Sequence, residues 1–318
     1  MINKVSFVIL SHNDAEMAVN AVESIKRLRT KYKYDIFVVD NGSEDGAPKI
    51  IKSKFEDVRV IELSKNVGTA AYDFAIRKSQ SEYIFFTGCD IEARDNMLDK
   101  LVEFMDKNKD VALAAPKYLN FDNRKKIDCA GTWLSRSFYS GTFKDNNLGK
   151  KNIEIPYIGA GLIRKTIIEK FGYLNDKDYF FYGEDVDLGL RIRLLGFKVY
   201  YIPGSIVYHM GSISRRIRKP FSLTFLMERN LLTTFFKILE KKSILLLFPY
   251  VFFMRLVAIV KDLTRFDFMN SFARIYAILW VIFNLNFISK KREKIQKMRK
   301  VNDNVLFKLF SERYLFKT

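Results

Sequence analysis

Two acids one residue apart follow an apolar run in FFTGCDIEA, residues 85–93, where Asp90 and Glu92 stand at what reads as the end of a strand. A hard divalent cation takes carboxylate oxygens and offsets the charge that develops on a departing diphosphate. Asp90 has the character of such a ligand, while as a local feature the pair is equally two solvated acids opening the helix RDNMLDKLVEFM. Glu92, one alternation further on, reads as a supporting or solvated acid. A second acidic group, Glu184, Asp185 and Asp187 in YFFYGEDVDLGLRIRLLGF, opens a helical pattern beneath an aromatic run. A carboxylate at the positive end of a helix is favoured in its ionised form and can take a proton from a hydroxyl. Asp187 lies four residues before Arg191 and reads as half of an ion pair on a surface helix, which leaves Asp185 as the general-base candidate.

Two further loops carry ligand-binding character. In VVDNGSEDG, Asp40 closes an apolar run and a tight Gly, Ser and Asp turn follows, so its carboxylate can accept hydrogen bonds from a base or ribose. As a local feature it is equally a turn with an N-cap. In KNVGTAA, Asn66 and Gly68 precede a helical pattern, where backbone can approach an anion closely. The GxGxxG fingerprint is absent, which argues against a nicotinamide enzyme. There are only two histidines. His12 sits in the first of these loops, and His209 precedes Gly, Ser and the basic run RRIRK, a setting suited to metal or phosphate.

The elements that must position these residues alternate. Runs at 5–10, 35–40, 58–63 and 83–88 read as strands, and the helical patterns between and after them fall near 14–30, 45–54, 68–80 and 95–107. Repeated strand and helix imply βαβ units and a mostly parallel central sheet, an α/β fold whose ligands gather at the carboxyl ends of the strands. The loops SHND, DNGSEDG, SKNVG and CDIEA all fall there. Shorter strands are expected near 112–115, 127–129 and 155–158, a helix over 165–171, and a helix over 184–195 followed by the strand KVYYIP. The two cysteines, Cys89 and Cys129, have no CxxC partner, which fits a reducing cytosol. The N-terminal apolar stretch is too short for a signal peptide.

Charge divides the chain. The net charge is +18, and from Arg216 onward there are 21 Lys and Arg against 7 Asp and Glu, a surplus of 21 − 7 = +14 that leaves +4 for the front. Beyond residue 220 the pattern changes to long apolar helices at 243–260 and 272–288, followed by SKKREKIQKMRK. Each apolar run is about 17 residues, the lower limit for a bilayer span. Pro249 and Arg255 interrupt the first, so helices lying in the membrane interface are favoured over true spans, and the basic run suits an anionic cytoplasmic leaflet. A soluble helical subdomain or a dimer interface is the plainer alternative.

In order, VSFVILSHNDA, IFVVDNGSEDG, NVGTAAYDFAI, YIFFTGCDIEARDNML, GAGLIRKTIIEKFGYL, YFFYGEDVDLGLRIRLLGFKVYYIP and VYHMGS closely resemble family 2 glycosyltransferases, most of all the rhamnosyltransferase-like branch. The resemblance runs from about Val5 to Ser214 and implies the GT-A nucleotide-diphospho-sugar transferase fold over 1–220, with 221–318 as a basic, apolar, membrane-associated helical region. It implies an inverting transferase moving a sugar to a glycan or lipid-linked hydroxyl in cell-surface glycan or polysaccharide biosynthesis, on the cytoplasmic face of the membrane, with Mg²⁺ or Mn²⁺. Carried over by residue, Asp40 matches the base-contacting Asp, Asp90 the metal Asp of the DxD or NxD motif, and Asp185 the base of the ED motif. His209 matches a metal- or diphosphate-contacting position. Ser11, Asn13, Asn66 and Gly68 join the nucleotide-sugar contacts, and Glu184 and Gly161 stand as acceptor-side or supporting residues. Where the family often has Asp or Asn two residues before the metal Asp, this chain has Gly88. The implied partners are the donor, the acceptor and a membrane surface, with room for a homo-oligomer and no role for nucleic acid. The rival readings are a catalytically impaired sugar-nucleotide binder and, from another class, a basic nucleic-acid-binding protein.

Overall fold

The computed structural model describes residues 3–144, 151–211 and 220–311. The basic run RRIRK, singled out after His209, lies outside the described residues.

Strand β1 (Val5–Ser11) is buried on both faces. It pairs in parallel with β2 (Tyr34–Asp40) on one side and β4 (Tyr83–Gly88) on the other, and β3 (Val58–Glu62) extends the sheet beyond β2. Its residues alternate between two cores, with Phe7 and Ile9 on one face and Val8 and Leu10 on the other. Sheets covered on both faces show this two-sided burial. The first face packs against α1 (Ala15–Lys26), α2 (Ala47–Lys54) and α4 (Met97–Lys107), through residues such as Val22, Ile25, Ile51 and Leu101. The helix expected at 68–80 is instead a 3₁₀ turn, Gly68–Ala71, running into the short α3 (Tyr72–Ile76), which lies on the second face.

Beyond β4 the sheet is mixed. β11 (Gly161–Arg164) inserts antiparallel between β4 and β6 (Val111–Asn120), and β12 (Lys198–His209) then pairs in parallel with β6. Short β5 (Ile91–Ala93), β7 (Ile127–Cys129) and β10 (Ile153–Glu154) pair at its margins. The chain passes from β3 over to β4 on the far side of β1, which places a topological switch between β1 and β4. Crevices open at the carboxyl ends of strands at such points.

The second face also receives α5 (Lys165–Phe171), α6 (Glu184–Leu194) and the helices of the C-terminal region. These are α7 (Pro220–Ile238), α8 (Lys241–Thr264), α9 (Phe268–Phe283), α10 (Leu285–Gln296) and α11 (Asp303–Phe307). Leu231, Phe235, Leu247, Val251 and Val281 from them join the same core as Leu188 and Ile192 of α6. A small sheet of β8 (Thr132–Ser135), β9 (Ser140–Thr142) and β13 (Phe310–Ser311) is closed by β13, which runs parallel to β8.

Candidate active site

A cleft of about 220 Å³ opens at the β1/β4 strand ends. Of the expected residues, Ser11, Asn66, Asp90 and Glu184 line it, together with His12, Asp14, Asn41, Gly88, Cys89 and Gly159.

Asp90 folds back over Gly88. A Cβ on Gly88 would stand 2.8 Å from Asp90 Oδ1, so the residue that replaces the family's second acid makes room for the first. Asp90 Oδ2 lies 3.1 Å from His209 Nε2, and His209 Nδ1 lies 2.6 Å from Asp128 Oδ2. Burial works to lower the histidine's pKa, but the hydrogen bonds and charges of Asp128 and Asp90 outweigh it and hold the imidazole up at about 9. With a carboxylate on either side both ring nitrogens donate, and Nε2 would have to give up its proton to take a metal, with Nδ1–H still held by Asp128. The strands account for this grouping: β6 lies between β7, which carries Asp128, and β12, which ends at His209. Glu92 turns away to Arg124 at 3.0 Å, the behaviour of a supporting surface acid.

Ligands about 2.1 Å from one octahedral ion at right angles stand about 3 Å apart, so the Asp90–His209 pair has the separation of neighbouring ligands. Asp128 stands where an outer carboxylate fixes the orientation of a ligating histidine. Among the described residues, no three His, Cys, Asp or Glu side chains converge to hold a metal on their own. One carboxylate and one imidazole leave most positions to phosphate and water oxygens, and the nitrogen donor suits Mn²⁺ better than Mg²⁺. The donor set fits a hard divalent ion held partly by its substrate.

Asp40 pairs in register with Ser11 and is almost fully buried. Its Oδ2 accepts from Ser43 N at 3.2 Å, while Oδ1 has no hydrogen-bond partner among the described residues. A buried acceptor left open is costly unless something donates to it, so it suits a ligand N–H or O–H. Asn13 does not line the cleft. With φ at 54°, it accepts from Glu44 N at 2.8 Å and staples the first loop to the second. Asn41, which sequence reasoning missed, has a larger part: Nδ2 donates to Asn66 Oδ1 at 2.9 Å and Gly68 O at 3.1 Å, and Oδ1 accepts from Val67 N at 2.9 Å. It looked like an ordinary turn residue beside Asp40; only its near-complete burial marks it as a tie between two loops. Gly68, expected to admit an anion, instead admits protein. At φ 68° its missing Cβ makes room for the carbonyl of Phe180.

Asp185 is half-buried at the start of α6, and its Oδ1 accepts from Val186 N at 2.8 Å. Burial pushes its carboxyl up to about 6, against the opposing pull of nearby backbone N–H groups. A Cβ on Gly159 would stand 3.6 Å from Oδ2, so the cleft-lining glycine keeps that side of the carboxylate clear. Gly161, in contrast, lies within β11, where a Cβ would press to 2.6 Å from Ala114 O; it serves strand packing.

The expected Asp187–Arg191 pair forms at 2.7 Å, but both side chains are fully buried rather than on a surface helix. Lys237 of α7 explains the difference, because it reaches Asp187 at 2.7 Å and Asp176 at 3.1 Å. Lys291 adds contacts of 2.5 Å to both Asp176 and Asp178. Burial would raise the Asp176 pKa, but Lys237 and Lys291 together drive it far below the usual carboxylate range.

Comparison with known proteins adds independent findings. Residues 6–172 match Glycosyl transferase family 2. A chondroitin synthase of Escherichia coli is 21% identical over 240 residues, covering 66% of this chain and 35% of that protein, so the chain spans about a third of that relative's length. An N-acetylglucosaminyl-diphospho-decaprenol L-rhamnosyltransferase of Mycobacterium tuberculosis is 20% identical over 213 residues, covering 57% of this chain and 68% of that protein. Among solved structures, GalNAc-T7 with UDP, GalNAc and Mn²⁺ superposes with a TM-score of 0.58 at 17% identity, over 71% of this chain and 48% of that one. S. aureus TarS in complex with UDP superposes with a TM-score of 0.53 at 14% identity, over 75% of this chain and 68% of that one. These superpositions show the fold, which is the GT-A architecture that the sequence resemblance implied. The family match takes in the strand ends that carry Ser11, Asp40, Asn66 and Asp90, and on it the chain belongs to glycosyl transferase family 2.

Proposed function

We propose that the chain is an inverting glycosyltransferase that moves a sugar from a nucleoside-diphosphate sugar to a hydroxyl of a glycan or lipid-linked acceptor, in cell-surface glycan or polysaccharide biosynthesis. The observation that carries this reading is one cleft with Asp90, paired to His209, on one side and the acidic start of α6 on the other. A relative named for a decaprenol diphosphate substrate and two neighbours solved with UDP agree with it.

In this reading Asp40 Oδ1 accepts from the base, and the Asn41–Asn66–Gly68 tie shapes the floor beside it. Asp90 and His209 would hold Mg²⁺ or Mn²⁺, which when bound neutralises charge on the leaving diphosphate. Asp185 takes the proton of the acceptor hydroxyl. The acceptor oxygen then bonds to the anomeric carbon as the bond to the diphosphate oxygen breaks, and attack from the face opposite the leaving group inverts that carbon. A base with a pKa of about 6 is mostly ionised at pH 7 and still basic enough to accept the proton. Glu184 supports the acceptor side.

Residues 1–220 form the transferase part in this proposal, and 221–318 dock it on the cytoplasmic face of a membrane. Helix α8 is long and apolar enough to cross a bilayer, and α9 with α10 would qualify as a second span only if their 69° bend is ignored. Interfacial docking suits these helices better. One side of α8, including Leu247, Val251 and Ala258, is packed into the protein, while Leu245, Leu246, Phe253 and Val260 face outward. Arg255, the residue costly to a span, is fully buried, pairs with Glu228 at 3.4 Å and donates to the carbonyls of Ser137 and Phe138.

A panel of UDP-, GDP- and dTDP-sugars, assayed for metal-dependent release of nucleoside diphosphate, tests the reaction. The anomeric configuration of the product, read by NMR, tests inversion. Release from no member of the panel, with or without Mn²⁺, would count against the proposal.

A further inference from the structure

The loop that leads into Asp185, which stands behind the cleft-lining Gly159, has an unfavourable backbone. Phe180 and Tyr182 both have φ of 63° and Gly183 has φ of 79°, so two aromatic residues occupy the left-handed region that side chains with a Cβ avoid. Such a loop keeps its shape only when its surroundings impose it. On one side, Thr69 N donates to Phe180 O at 2.8 Å. On the other stands Asn230 of α7, fully buried, whose Nδ2 faces the carbonyls of Tyr179 at 3.0 Å, Phe181 at 3.0 Å and Tyr182 at 2.6 Å. Arg229 sets which way that amide points. Its Nε and terminal nitrogen donate to Asn230 Oδ1 at 2.9 and 2.8 Å, which leaves the N–H end for the loop. Asn230 also sits against the turn into α6, since a Cβ on Gly183 would stand 3.1 Å from its own Cβ. Glu184 and Asp185 follow immediately.

We propose that Asn230 is a positioning residue for the transfer reaction: it fixes the loop ahead of α6 and so sets where the Asp185 carboxylate stands relative to the cleft. The C-terminal helical region is then a working part of the catalytic centre and does more than dock the protein. The idea rests on Asp185 being the base. Asn230 lies outside the matched residues 6–172, so the family match itself gives it no role.

The test uses the full chain and the nucleotide sugar that it turns over in the panel above. In Asn230→Asp, an isosteric carboxylate faces three carbonyl oxygens and repels them. Because displacements of about 1 Å can cost about 100-fold in rate, kcat is expected to fall by about that factor. Donor KM and the number of donor sites per chain should stay unchanged, and the acid limb of kcat should move down from about 6, because a loosened loop no longer shields Asp185. Thr234→Val is the control. It removes a buried hydroxyl on the same helix, which bonds Tyr179 Oη at 2.8 Å, and should leave kcat within twofold. If Asn230→Asp does not fold, Asn230→Ala removes the three loop contacts without adding charge, leaves the bonds of Arg229 to the carbonyls of Asp178 and Tyr179 in place, and should lower kcat about tenfold with the same pH signature. A kcat loss matched by an equal loss of donor sites, with the acid limb unmoved, would reduce Asn230 to a structural residue and overturn the proposal. Asp185→Asn runs alongside. Transfer in that variant would overturn the base assignment and this proposal together, whereas an inactive Asp185→Asn beside a fully active Asn230→Asp would overturn the positioning role alone.

Discussion

In the proposed mechanism Asp185 owes its basicity to an environment that does not favour its charge. Burial lifts its pKa to about 6, so transfer should fall about tenfold per pH unit below that value, as read from kcat against pH. Stability runs the other way. The folded-state pKa lies above the unfolded one, so the cost of the ionised carboxyl is absent below about pH 4 and complete above about pH 6. Asp185→Asn should therefore raise the melting temperature at pH 7 while cutting transfer by about 10²- to 10⁴-fold, with donor binding retained. Gly88→Ala carries a separate expectation. The new methyl would displace Asp90, so metal-dependent donor affinity should weaken without loss of fold, as measured by calorimetry with and without Mn²⁺. Asp90 and Asp185 could be proposed from sequence because acids after an apolar strand and at a helix start stand out in one dimension. Asp128 and Asn41 were not, because each matters only through a neighbour that the sheet or a loop brings from far along the chain.

At the scale of elements, buried charges add to the apolar seam between α6 and α7. Lys237 is fully buried between Asp187 and Asp176, and removing one member of such a pair leaves uncompensated charge inside. Lys237→Met should destabilise the fold by about 3–5 kcal/mol, visible in chemical denaturation. The contribution of Asp176 is complete above its ordinary pKa near 4 and is lost as pH falls toward its depressed folded value, so the variant's deficit should shrink in acid. The four parallel strands were legible from their apolar runs, within a residue or two of their ends. The antiparallel insertion of β11 was not, since its four residues carry no mark of direction. The ion pair on α6 was legible at its four-residue spacing, but its burial was not, because the covering helix begins some thirty residues later.

For the whole molecule, the uneven charge suggested a basic tail for an anionic surface, and part of that charge proves to be structural. Arg292 donates to the carbonyls of Phe236 and Leu239, and Arg299 to that of Ile238, so both close the C-terminal end of α7. Lys290, Lys294 and Lys297 of the same run are exposed. The outward faces of α8 and α9 are apolar: Leu245 is 76% exposed, Phe253 60%, Phe272 63% and Phe283 81%. Burying such a side chain is worth about 1.5–3 kcal/mol, against about 1 kcal/mol for a cation near an anionic surface. Insertion should therefore dominate. The protein should sediment with phosphatidylcholine vesicles, more strongly with phosphatidylserine present, and should remain bound in 0.5 M salt, taken as about three times physiological. The double variant Phe253→Glu, Phe272→Glu should stay in the supernatant. A wild-type protein released by salt alone would contradict the apolar mode.

The short strand Phe310–Ser311 returns to pair with Leu134 and Ser135, near the middle of the sequence. The helices with exposed apolar faces are thus bracketed, by α7 at one end and by this return at the other. They resemble a handle fixed at both ends more than a hinged flap. Pulling on such a handle loads the core at two anchorages at once, so detachment of the helices and collapse of the cleft should occur as a single mechanical event in a force-extension trace.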